Sequence, residues 1–247
     1  MSKESMLPAT WNVPKVFRDR LGSHVGRQRV MFADDHMLIV LHAPPKPDQD
    51  ERRGRFFWRQ PDGTWASDQL GSGQGAMKKH LDEYERQIEE LEKSEEQAVG
   101  SHAYFRVLEN LAPLQRAIRN LHAVLQEARK QLPSARELID MRDRAYDMER
   151  MAELLATGTK NNLDFEIAKR SEAQADASER MALSAHRLNL LAAFFFPLAT
   201  LTAIFGMEIR SGLERLPEPQ TFCVVIGSGL VMGVFLMWYV RVRKRAS

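Results

Sequence analysis

Carboxylates dominate the side chains that could do chemistry in this 247-residue sequence. Asp143 and Asp147 stand four apart, which on a helix places them on one face, one turn from each other. Such a pair can share a divalent cation; amid Arg142, Arg144 and Arg150 it equally fits a solvated face. Glu208, Glu214 and Glu218 outnumber Arg210 and Arg215 in a short stretch between two uncharged apolar runs. The seven histidines are scattered, with neither the His-x-x-x-His spacing nor the cysteine partners of a structural zinc site. The single cysteine, Cys223, excludes an internal disulfide and a cysteine metal cluster. No nucleophile–base constellation and no Gly-x-Ser-x-Gly elbow is present, so an enzyme is not expected. Gly71-Ser72-Gly73-Gln74-Gly75 lacks the Lys-Ser/Thr that closes a phosphate loop and reads as a flexible linker. A formal charge of +2 gives no reason to expect nucleic acid.

The elements that must position these groups begin with the apolar runs, 188–205 and 221–240. Each is uncharged and close to the roughly 20 residues that cross a bilayer core as a helix. The mean hydropathy of -0.39 hides them because the residues before them are so polar. Arg241, Arg243, Lys244 and Arg245 follow the second run, and Arg180 and Arg187 precede the first. The positive-inside rule then puts both termini in the cytoplasm, with the loop outside. The expectation is a multi-pass protein of the plasma (inner) membrane. No signal-peptide core opens the chain, so its bulk is expected in the cytosol.

Residues 1–26 read as polar and irregular. Strand-like runs follow at 29–33 and 37–43 around Asp34-Asp35-His36, and at 55–59 and 64–67 around Pro61-Asp62-Gly63. A small antiparallel sheet results. From Met77 the period changes: Met77, Leu81, Tyr84, Ile88 and Leu91 step by fours and threes, a helical seam. Gly100-Ser101 ends that helix, and a second carries Phe105, Leu108, Leu111, Ile118, Leu121 and Leu125, with Pro113 as a kink or restart. Together they read as an antiparallel helical hairpin. Ser134 can then cap a third helix, with Glu137 completing the box. If helical throughout, 134–205 is about 72 residues, or about 108 Å long. The expected fold is α+β and mostly helical: a cytosolic small α/β domain at 1–74, a hairpin and stalk helix at 75–187, and a membrane hairpin at 188–247.

A helix of that length wants neighbours, and oligomerisation is the simplest source of them. Ala173, Ala175, Ala177 and Ala182 would let copies approach closely about an axis. One seam runs Ser171, Gln174, Ser178, Met181, Ala185, Leu188, Ala192 and Phe195, polar at its start and apolar with small gaps at its end. A polar funnel feeding a hydrophobic constriction reads this way, and so does ordinary coiled-coil contact with tolerated polar residues.

The stretch Phe196-Pro197-Leu198-Ala199-Thr200-Leu201-Thr202-Ala203-Ile204-Phe205-Gly206-Met207-Glu208 resembles the end of the first span in the CorA-type magnesium transporters. Members of that family carry a Met/Phe-Pro-Leu-Thr run followed by aromatic-Gly-Met-Asn. Arg142-Asp143-Arg144-Ala145-Tyr146-Asp147 is loosely similar to the family's Arg-Asp-x-Tyr-Asp region. The resemblance implies a funnel-shaped homopentamer whose first spans line a pore, with Ala185, Leu188, Phe196, Ala199 and Ala203 on its axis. It places Gly206-Met207-Glu208 at the outer mouth and gives Asp143 and Asp147 a regulatory metal role. Gly229 and Gly233 fit close packing of the second span. Where the family has Asn, this chain has Glu208: the amide donors are gone and a charge is added. With Glu214 and Glu218 nearby, the mouth would attract cations. His186, just before the first span, would touch a permeating ion if it faced inward.

The resemblance thus implies a divalent-cation channel or transporter in the lipid bilayer, for Mg2+ or, with the motif altered, Co2+, Ni2+ or Zn2+. No cofactor is implied beyond transported or regulatory Mg2+. The rival expectation is a membrane-anchored scaffold or metal sensor that keeps the architecture without flux.

Overall fold

The computed structural model describes residues 6–46, 52–206 and 218–245. It falls into two compact units, Met1–Ala168 and Lys169–Ser247. The first unit holds a four-stranded antiparallel sheet in the order β1 (Arg29–Ala33), β2 (His36–His42), β3 (Gly54–Arg59), β4 (Trp65–Ser67). Ala33 pairs with His36, so Asp34 and Asp35 form a two-residue hairpin loop. Both have positive φ, 50° and 61°, the backbone that matches the right-handed twist of the flanking strands.

Strand β2 is buried on both faces. Met37, Ile39 and Leu41 join Phe57 and Trp65 against the helices. Leu38 and Val40 point the other way, with Met31, Phe56 and Trp58. That second face is covered by Leu7, Phe17 and Leu21, the last two on or beside a short helix, α1 (Lys15–Arg20). Residues 6–26 are therefore a structured cover and not the irregular segment expected. Arg18 ties the cover together by donating to the carbonyls of Pro8 (3.1 Å) and Trp11 (2.8 Å).

Three helices complete this unit: α2 (Gln74–Glu96), α3 (Ser101–Gln131) and the first part of α4 (Glu137–Gly206). The anticipated seam, Met77, Leu81, Tyr84 and Ile88, is buried against Leu111, Leu114, Ile118, Leu121 and Leu125, and then against Leu138, Ala145, Met148 and Ala152. One core therefore runs from the sheet through all three helices. Pro113 does not restart the hairpin's second helix, which runs continuously across it.

Two local expectations are corrected. The glycine-rich stretch is a pinned strap and not a flexible linker: Ser72 bridges to Ala66, and the Gly73 N–H donates to the Trp65 carbonyl at 2.7 Å. Gly73 sits at φ 77°, a backbone that favours glycine, immediately before α2. The capping box at Ser134 does not form either. Helix α4 starts at Glu137, whose carboxylate accepts from Arg59 Nε (2.9 Å) and Trp65 Nε1 (3.4 Å). Burial alone would raise the Glu137 carboxyl, but the Arg59 hydrogen bond, its charge and the other donors outweigh it and hold the group below its ordinary value.

In the second unit α4 continues to Gly206, and α5 spans Glu218–Arg245. Helix α4 runs 70 residues and is unbroken at Gly158 and at Pro197. Among the described residues it is the one helix long and apolar enough to cross a membrane, and a shorter apolar helix spans Ile226–Trp238.

Candidate functional site

The apolar part of α4 has two sides. Ala185, Leu188, Phe196, Ala199 and Ala203 recur at helical spacing and therefore share one stripe. All five are exposed in the single chain, Leu188 at 66% and Phe196 at 72%. The covered residues lie on the opposite side: Leu190, Ala193, Phe194 and Leu201 are half-buried and Pro197 is buried. Helix α5 makes that cover. A Cβ on Gly233 would come within 2.6 Å of the Phe194 carbonyl oxygen, a contact only glycine permits. Gly229, one turn earlier, is also buried. So Gly233 lets α5 approach the back of α4 at Phe194, while the stripe on the other side stays exposed.

Polar groups on this part of α4 are turned inward on the helix. Thr200 Oγ1 donates to the Phe196 carbonyl at 2.8 Å, and Thr202 Oγ1 to the Ala199 carbonyl at 3.0 Å. His186 is half-buried. Gly206 is the last residue of α4 and Glu218 the first of α5. Met207, Glu208 and Glu214 lie outside the described residues.

Asp143 and Asp147 are both exposed on α4 in the first unit, one turn apart. The Asp143 carboxylate already accepts from Arg142 Nε at 2.9 Å. Among the described residues, no group of three or more His, Cys, Asp or Glu is placed to hold a metal ion. Arg144, between the two aspartates, turns the other way and joins α4 to α2. It donates to Asp82 Oδ1 (2.7 Å) and to both Glu85 oxygens (3.0 and 2.7 Å). Glu85, then its own partial burial, then Asp82 set its affinity for protons, which is raised overall.

Sequence spacing gave no hint of that three-residue junction, because its partners stand about sixty positions apart. The same is true of a buried network beneath the sheet. Arg55 pairs with Glu83 at 2.8 Å and donates to His80 Nδ1 at 3.0 Å. Tyr84 donates to the His42 carbonyl at 3.0 Å. Burial, then the neighbouring Arg55 charge, pushes His80 down to about 3, so the imidazole is neutral in the fold.

A family model described as CorA-like Mg2+ transporter protein matches residues 68–245. No curated protein matches the sequence. Among solved structures, the ZntB cytoplasmic domain from Vibrio parahaemolyticus matches at 11% identity and a TM-score of 0.54, over 65% of this chain and 80% of its own. The full-length CmaX protein matches at 14% identity and a TM-score of 0.53, over 94% of this chain and 83% of its own. The CorA magnesium transporter from Methanocaldococcus jannaschii aligns at 16% identity and a TM-score of 0.42, over 88% and 81%. At these identities the first two speak for the fold: sheet, helical hairpin and long helix form a known arrangement.

Proposed function

Because the chain belongs to the family of CorA-like Mg2+ transporter proteins, a family of transporters and not of enzymes, we propose that it conducts divalent metal cations through a pore lined by α4. The observation that carries this reading is the two-sided α4: its back is packed by Gly233 of α5, while Ala185, Leu188, Phe196, Ala199 and Ala203 stay free. Around an axis of symmetry, a free stripe of apolar residues, with Leu188 and Phe196 the large ones, makes a narrow, dewetting constriction. Five copies, as in the homopentamer the sequence resemblance implies, would close such a ring. Both helices of the second unit then cross the inner membrane, with the termini in the cytoplasm and residues 207–217 outside.

Glu208 sets the proposed mouth apart. A ring of carboxylates repels itself, so some members hold protons, and the remaining charge concentrates divalent cations. Mg2+ keeps its waters, so recruitment through them needs no direct ligation. Release must stay easy for conduction, which limits how tightly such a ring may bind. We take Mg2+ as the first substrate and Co2+, Ni2+ and Zn2+ as its competitors. Glu214 and Glu218 would add to the attraction, and Asp143 with Asp147 would sense internal Mg2+ once a neighbouring copy supplied further ligands.

The test is uptake into liposomes holding the purified oligomer, with dyes for Mg2+, Co2+, Ni2+ and Zn2+. Saturable Mg2+ entry, reduced by Glu208→Ala, is expected. Absence of flux for all four ions, from protein that remains a folded oligomer, would replace transport by the scaffold or sensor reading.

A further inference from the structure

Between one end of the sheet and the α2–α3 hairpin lies a cavity of about 510 Å³, wholly within the first unit. Among the described residues, Lys46, Arg52, Arg53, Arg55, Arg86 and Arg116 line it, and Glu83 and Glu90 are the acidic side chains that oppose them. Elsewhere in this unit Arg59 is matched by Glu137, and Arg144 by Asp82 and Glu85. Here the balance fails. Arg55 pairs with Glu83, and Arg86 Nε donates to the Asp82 carbonyl of its own helix at 3.3 Å. Lys46, Arg52, Arg53 and Arg116 form no ion pair among the described residues.

Among the described residues, two buried polar atoms of the lining also have no partner, Arg55 Nε and Gln28 Oε1. The other end of the Gln28 amide is fixed by donation to the Ala117 carbonyl at 3.0 Å. A buried donor or acceptor left unmatched is costly, and it marks where a ligand atom or an ordered water belongs.

We propose that this cavity binds a polyphosphorylated small molecule of nucleotide size. The volume lies in the range of roughly 300–1,000 Å³ typical of small-molecule sites. Guanidinium forks suit phosphate oxygens in pairs. The cations belong to three separate segments, the two flanking the β2–β3 connection and the helical hairpin, so a run of phosphates reaches more of them than a single phosphate does. Pro44, Pro45 and Pro113 give the remainder of the ligand an apolar wall, and Gln28 Oε1 accepts from an N–H or O–H upon it. This goes beyond the transport reading and does not depend on it.

The experiment is calorimetric titration of the full-length protein in phosphatidylcholine nanodiscs, without divalent metal. ATP, ADP, inorganic tripolyphosphate and orthophosphate are compared at physiological ionic strength, where the Debye length of about 8 Å screens diffuse attraction. Saturable binding of one ATP or tripolyphosphate per chain is expected, weaker for ADP and absent for orthophosphate. Equal affinity for ATP and tripolyphosphate would assign recognition to the phosphate run alone; tighter ATP would add the nucleoside. Arg86→Glu combined with Arg116→Glu should weaken binding about tenfold or more, the scale of losing charge-assisted contacts. Arg106→Glu, exposed on α3 and outside the cavity, should leave it unchanged. Should the double variant misfold, Arg116→Gln alone should still weaken binding measurably. No saturable binding of any of the four, or equal weakening by Arg106→Glu, would overturn the proposal.

Discussion

The two units solve burial in opposite ways. In the first, β2 is covered on both faces and one core runs from Met37 to Ala152, although Phe105, Leu154 and Phe165 stay exposed. In the second, Val231 is 71% exposed and joins Leu188, Phe196, Phe235 and Trp238 as large apolar residues facing outward. A soluble surface rarely tolerates contiguous apolar patches beyond a few hundred Å². The first unit is thus stabilised mainly by its own packing, whereas the second leaves apolar surface for outside partners under the proposed function. The proposed function names those partners: lipid around α5 and further copies along the stripe of α4.

The sharpest way to break that contrast is to shorten one apolar side chain in each unit. Ile118 is fully buried where α3 meets α2 and the sheet. Ile118→Ala should lower the stability of the first unit by about 2–5 kcal/mol, the transfer term plus the cavity left behind. Leu188→Ala should leave that unit's unfolding curve unmoved. Denaturant unfolding followed by tryptophan fluorescence reads both, since Trp58 and Trp65 are buried in the sheet. Equal losses would mean that the two units do not melt independently.

Acid should separate the units next. His80 is pushed to about 3 by burial, far below its ordinary 6.5, and burial lowers His42 in the same direction. The unfolded chain therefore binds more protons than the folded one between these values, and stability rises with pH across that window. The contribution is fully present above about 6.5 and is lost as pH falls toward 3. His80→Gln keeps an acceptor for Arg55 but removes the titration, so the acid side of the pH–stability curve should flatten. A curve unchanged in slope would place the acid sensitivity elsewhere.

A third test enlarges a residue instead of shortening one. Gly233→Leu forces a side chain against the Phe194 backbone, where a single Cβ would already approach to 2.6 Å. Overpacking of this kind costs about 1–3 kcal/mol. Thermal melting of the detergent-solubilised protein should show the second unit loosened and ion flux reduced. The pH profile of the first unit should not move.

These contrasts were unevenly legible in the sequence. The strands were readable within a residue and the helical hairpin within a turn or so, because β-branched runs, Asp34-Asp35 and the Met77–Ile88 seam are local signals. On α4, spacing alone offered a seam through Ser171, Gln174, Ser178, Met181, Ala185, Leu188, Ala192 and Phe195, whereas the stripe through Phe196, Ala199 and Ala203 came from the family resemblance. Helix α1 was missed because Phe17 and Leu21 stand among charges, and only the far face of β2 explains their burial. Ser134 and Glu137 had the right spacing for a box, but Arg59 and Trp65, distant in sequence, claimed the carboxylate. The cavity cations were unreadable for the same cause, since their shortage of partners exists only once β2, β3 and the hairpin are assembled.

The smallest effect lies within a single turn of α4 and tests how finely the contrast is drawn. Arg144 reaches back to Asp82 and Glu85, whereas Asp147 on the next turn faces solvent and Asp143 engages its neighbour Arg142. Arg144→Ala leaves two α2 carboxylates without their cation. With these groups about a third exposed, solvent screening holds the cost to about 1 kcal/mol. Asp147→Asn should change stability by less than about 0.5 kcal/mol, as exposed substitutions do. Under the transport reading, the paired change Asp143→Asn with Asp147→Asn has a different consequence: flux should resist inhibition by internal Mg2+ while unfolding is unaltered. If inhibition persists unchanged in that variant, internal Mg2+ is sensed elsewhere, and the two aspartates are the solvated face that their arginine-rich surroundings equally fit.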